Sequence, residues 1–252
     1  MNELKLDAER EKLARVLHCE PGAVDFGQAL DVAGMRRLRE SVSAALFDEH
    51  RHLFQKLADA SRLLPAGISA KLSEKVFGPL FSARISGLLS VDKAVAIAEK
   101  LHTDFLADVT IEMDPRSARE LLQRMPQAIT LAVADELERR AEYVTMARFV
   151  DALTLGDLLA VADRLDDESL LRIGFYVEDP ERLAEIIGHL PAPRVERTVQ
   201  ITAGKDPDLA RAGISLFTSL PADGREILLQ AARRLDEGLA DWLNEAAAVE
   251  TG

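Results

Sequence analysis

Two Glu-x-x-His steps, Glu49 to His52 and Glu99 to His102, are the side chains in this sequence best spaced to do chemistry. In di-iron carboxylate bundles such a step on each of two helices, joined by a glutamate from each of two others, surrounds a metal pair. A spacing of three puts both ligands on one helical face. The ordinary reading is stronger, because Val95, Ala98, Leu101 and Phe105 mark the buried stripe of the second helix and leave Glu99 beside it. A metal-dependent enzyme built on these pairs is therefore the last alternative, and no metal-ligating or catalytic residue and no cofactor is assigned.

The remaining reactive side chains sort the same way. His50 and His52 are two apart, the wrong spacing for shared coordination on a helix, and His189 precedes Leu190-Pro191, where a helix C-terminus welcomes partial positive charge. His18-Cys19 lacks a third group to orient a thiolate–imidazole pair. A phosphate-binding P-loop at Gly204-Lys205 is excluded by Val199 and Asp206, which stand where Gly and Ser or Thr are needed. Asp163, Asp166, Asp167 and Glu168, followed by Glu178, Asp179 and Glu181, could hold hydrated divalent cations weakly. Their ordinary roles are helix capping and solvation. Tyr143, Arg148 and Tyr176 sit in two short stretches, 142–150 and 173–177, that carry both tyrosines of an aromatic-poor chain, and they mark the first place to look for a binding groove.

The elements that carry these residues read as helices throughout. Apolar positions recur at three and four, as in Leu155, Leu159, Ala162, Leu165 and Leu170, and sustained alternation of period two is missing. Asp-Pro at 114–115, 179–180 and 206–207 predicts helix starts, since Asp is a preferred cap and Pro a preferred first residue. Leu64-Pro65, Met125-Pro126, Leu190-Pro191 and Leu220-Pro221 predict a helix end followed by a new start. Both kinds of marker repeat: Pro115 to Pro180 and Pro126 to Pro191 are each 65 residues, while Leu89, Ala96, Ala98, Leu101 and Leu106 match Leu153, Ala160, Ala162, Leu165 and Leu170 at 64. Such periodicity predicts an all-α fold, an α-solenoid of roughly 30-residue helical pairs. The expected boundaries are an N-terminal helical segment over 1–62 with one long helix over 31–62, the solenoid over 63–246, and a disordered tail over 247–252.

The string Leu220-Pro221-Ala222-Asp223-Gly224-Arg225-Glu226-Ile227-Leu228-Leu229 and its kin resemble the cytoplasmic N-terminal superhelical domain of MgtE-type magnesium transporters, across about residues 63–246. That resemblance implies a helical superhelix used for regulation or docking. It does not imply transport, because no membrane-spanning stretch accompanies it.

Charge narrows the partners. The formal net charge is −12, and residues 1–62 hold 10 basic and 11 acidic side chains, so −11 falls on the rest. An acidic surface repels phosphate backbones and anionic headgroups, which argues against nucleic acid and membranes as partners. The N-terminus lacks the apolar core of a signal peptide, no apolar run is long enough to insert into a bilayer, and the single cysteine fits a reducing compartment. The expectation is a cytoplasmic, non-enzymatic scaffold or regulator that binds a protein partner, with residues 1–62 as a cap or homodimerisation element. A divalent-cation-responsive regulator is the alternative.

Overall fold

In a computed structural model of the chain, residues 2–24, 30–48, 51–61 and 63–251 are described. They are helical almost throughout and contain no strand. Among the described residues no helix is long and apolar enough to cross a membrane. The chain separates into two units, Met1–Leu63 and Leu64–Gly252.

The first unit contains α1 (Asn2–Val16), a 3₁₀ turn (Pro21–Val24), α2 (Val32–Asp48) and α3 (Arg51–Ser61), with α2 and α3 in the stretch expected as one helix. Leu13, Ala14, Val24 and Met35 form its core, with Leu6, Leu30, Leu38 and Val42 packed around them. Glu9 is 2% exposed in this small core. Its carboxylate lies 3.1 Å from Lys12 Nζ, 3.5 Å from Arg36 Nε and 3.3 Å from Arg39 Nε. Three cations around one carboxylate meet the requirement that a buried charge be paired.

The second unit begins with α4 (Ala66–Leu72), continued by one π-helical turn (Ser73–Phe77), and then α5 (Gly78–Ser86). Four more helices complete a group: α6 (Val91–Ala98), α7 (Thr103–Glu112), α8 (Pro115–Gln123) and α9 (Gln127–Arg139). A second group follows with α10 (Tyr143–Arg148), α11 (Leu155–Ala162), α12 (Asp167–Tyr176), α13 (Pro180–His189) and α14 (Ala192–Thr202). The unit closes with α15 (Pro207–Ser219), α16 (Ala222–Leu235) and α17 (Glu237–Thr251), the last running past residue 246, where the helical pattern was expected to stop.

Helix starts follow the chemistry of the caps. Asp114, Asp179 and Asp206 each accept a backbone N–H of the first turn, with proline at the first helical position. Pro126, Pro191 and Pro221 each stand immediately before a helix. Thr154 and Asp166 cap α11 and α12 through Asp157 N and Ser169 N.

The 65-residue period is a group of five helices. Helices α10 to α14 start 65, 64, 64, 65 and 65 residues after α5 to α9 respectively. Packing repeats with the same step: α5 on α7, α6 on α8, α7 on α9, and α9 on α10 and α11 are matched by α10 on α12, α11 on α13, α12 on α14, and α14 on α15 and α16. An odd number of helices does not divide into pairs, so the longer period is not a simple doubling of the roughly 30-residue step. That shorter step is written instead in the polar links between neighbouring turns of the solenoid. Lys93 and Arg182 donate to the carbonyls of Leu64 and Leu153, each 29 residues earlier. Arg164 grips Asp135, and Arg194 and Arg197 together grip Asp167, again 27 to 30 residues away.

Apolar cores succeed one another along the chain, as stacking demands. Ala83, Val109, Met113, Ala118 and Phe149 form the first, and Ala107, Ala134, Leu137, Met146, Leu165 and Ile173 belong to the second. The third and largest runs from Leu171 to Leu243.

Candidate functional site

Where the two five-helix groups meet, they leave an apolar pocket between them. Residues of α7 to α13 line this pocket of about 170 Å³, which is half open to solvent. Its walls are mostly long side chains, among them Leu106, Met113, Leu137, Phe149, Leu158 and Ile186, with the small residues Ala134, Ala162 and Gly174 also in the lining. Packing elsewhere in the unit is tight: a Cβ on Gly213 would lie 2.1 Å from Thr202 Oγ1.

The lining is almost entirely hydrocarbon and thioether. Only Thr110 and Thr130 bring side-chain oxygen to it, and no ionisable side chain is among the lining residues. Thr110 Oγ1 donates to Leu106 O at 2.8 Å, within its own helix. A lining without acid, base or nucleophile suits binding and supplies no group for proton transfer.

Tyr143 and Tyr176, expected in a groove, both pack half-buried against the second core cluster, beside Met146 and Ile173. Neither is among the residues that line the pocket. Arg148 turns elsewhere: its guanidinium donates to Met113 O at 2.9 Å and Ile111 O at 3.4 Å, satisfying carbonyls at the end of α7. The two tyrosines thus share a cluster, whereas the arginine is a helix-end clasp.

No known protein family, curated protein or solved structure matches the chain.

The Glu-x-x-His reading changes at Glu99 and His102. α6 ends at Ala98 and α7 begins at Thr103, so the two side chains do not share a helical face; Glu99 follows one helix and His102 caps the next. Glu74 holds His102 instead, accepting from its backbone N at 2.9 Å and meeting Nδ1 at 2.8 Å. The backbone hydrogen bond from His102 and then its imidazole keep the Glu74 carboxyl below the ordinary glutamate range. Sixty-four residues on, Glu138 repeats this role by accepting from Asp166 N at 3.3 Å. Glu49 and His50 lie outside the described residues, and His52 is exposed on α3.

Carboxylates of the two acidic runs divide among structural tasks. Asp166 and Asp179 cap helices. Asp167 lies 2.8 Å from Arg194 Nε and 2.5 Å from Arg197 Nε. Burial pushes its carboxyl up, but the two guanidinium hydrogen bonds outweigh that and hold it below the ordinary aspartate range. Asp151 experiences the opposite balance, raised first by burial and then by repulsion from Asp179 and Glu178. Among the described residues no group of three or more His, Cys, Asp or Glu side chains is placed to hold a metal ion.

Proposed function

We propose that residues 64–252 are a helical-repeat docking module, and that the chain works as a scaffold or regulator by binding a protein partner with a basic surface. The observation that carries this reading is the recurrence of one five-helix packing pattern, joined by polar links between successive turns. Stacked repeats are built to extend a surface, and extended surfaces of this kind serve recognition more than chemistry. The concentration of −11 of the −12 formal charge on this unit gives that surface a preferred partner chemistry. The resemblance of its Leu-Pro strings to the superhelical domain of MgtE-type transporters supports the same kind of role and implies no transport.

The test is retention of proteins from a lysate on the immobilised full chain, at low salt and at about 1 M salt, where the Debye length falls to roughly 3 Å. A reproducible set of proteins with basic surfaces, released by salt, is expected. No reproducible partner, or partners that bind without regard to salt, would count against the reading. Homodimerisation through residues 1–62 is a separate proposal, tested by light scattering on the full chain and on residues 64–252: a mass that halves per chain on truncation supports it, and a monomeric full chain removes it.

A further inference from the structure

We propose that the cavity between α7 and α13 is a binding site for a small neutral apolar molecule, about the size of a single substituted aromatic ring. Three observations converge on that ligand chemistry. The first is volume: about 170 Å³ lies in a half-open pocket between seven consecutive helices. An apolar cavity of roughly 150 Å³ accepts benzene, so this pocket is large enough for a ring with a short substituent.

The second is the character of the wall. Water in a cavity needs two to four polar partners. Thr110 already bonds to its own helix, and Thr130 is the other side-chain oxygen in the lining. Water against this wall finds few partners, whereas hydrocarbon displaces it and gains dispersion contacts with the surrounding leucines and methionines. A charged ligand is disfavoured, because no side chain in the lining could pair with it.

The third is location. The lining comes from both five-helix groups, α7 to α9 on one side and α10 to α13 on the other. Ala134 of α9 and Ala162 of α11 both belong to the lining, and α9 packs on α11. An occupant therefore touches both groups and stabilises their junction by mass action.

Methionine placement makes the proposal directly testable. Met113, Met125 and Met146 line the cavity, while Met35 is buried in the first unit and serves as an internal control. With the full chain labelled at the methionine methyl carbons, titration with toluene should shift the Met113, Met125 and Met146 resonances saturably and leave Met35 in place. Benzoate, of similar shape but charged, should leave all four unmoved. Ala162→Leu and Ala134→Leu should each weaken toluene binding by about tenfold or more while circular dichroism stays native. Thr130→Val should retain binding. The absence of any saturable shift up to the solubility of toluene would overturn the proposal, as would equal shifts at Met35 or equal shifts with benzoate. Should either leucine variant lose its helical signal, the toluene and benzoate titrations of the unmodified chain still decide the matter.

Discussion

Ala141 has φ of +56°, a left-handed conformation that a Cβ makes costly. It sits just after α9, where its N–H donates to Glu138 O at 2.8 Å and Glu142 N donates to Leu137 O at 2.9 Å, the paired bonds of a Schellman ending. Glycine carries no such penalty, so Ala141→Gly should stabilise the second unit by about 1 kcal/mol, read as a shift in the urea midpoint at unchanged slope. Asp151 tests electrostatics at the same scale. Its folded carboxyl holds a proton more tightly than the ordinary aspartate value of 3.8. The unfolded chain then releases that proton first as pH rises, and the ionised group opposes folding above its folded pKa. Asp151→Asn should raise the melting temperature at pH 7 and lose that advantage as pH falls below 3.8, where both states of the parent are protonated; an advantage independent of pH would contradict the stated cause.

The close approach of α14 and α15 is a property of elements. Gly213 lies buried on α15, and a Cβ there would meet Thr202 Oγ1 at 2.1 Å and Thr202 Cγ2 at 2.5 Å. Gly213→Ala should therefore cost about 2 kcal/mol, despite the better helix propensity of alanine. Thr202→Ala should recover most of that loss, and a double-mutant cycle in denaturant would show the coupling. How far such elements could be read from residues depends on what ends a helix. Proline restricts its neighbours locally, so Asp114-Pro115, Asp179-Pro180 and Asp206-Pro207 announced their helices directly. The turn between α6 and α7 holds Glu99, Lys100, Leu101 and His102, with neither proline nor glycine, and its Leu101 continues the apolar phase of Val95 and Ala98. Helix followed by turn at a step of 12 residues thus imitates one longer helix, and the apparent Glu99–His102 face came from that imitation. The pocket was illegible for a different reason: its lining comes from both five-helix groups, and only their packing brings those residues together.

At the scale of the whole chain, the 65-residue period was visible in the prolines, but the odd number of helices inside it required the structure. That period stops short of residue 63, and the charge divides at the same place, with −1 before it and −11 after it. Contacts separate there as well, into units 1–63 and 64–252. The first unit rests on a small core around Leu13 and Met35 and on the buried Glu9 cluster, whereas the second draws on three successive apolar clusters. Units with separate cores are expected to unfold separately, the smaller first, because fewer buried apolar side chains oppose the chain entropy. Thermal unfolding of the full chain should show two helical transitions. A chain beginning at Leu64 retains the carbonyl that Lys93 clasps. It should keep the upper transition within about 2 °C of its original midpoint, the shift that roughly 0.5 kcal/mol produces in a domain of this size. A single transition in the full chain, or a large loss of stability after truncation, would mean that the first unit is part of the solenoid's own stabilisation and not a separately folding segment.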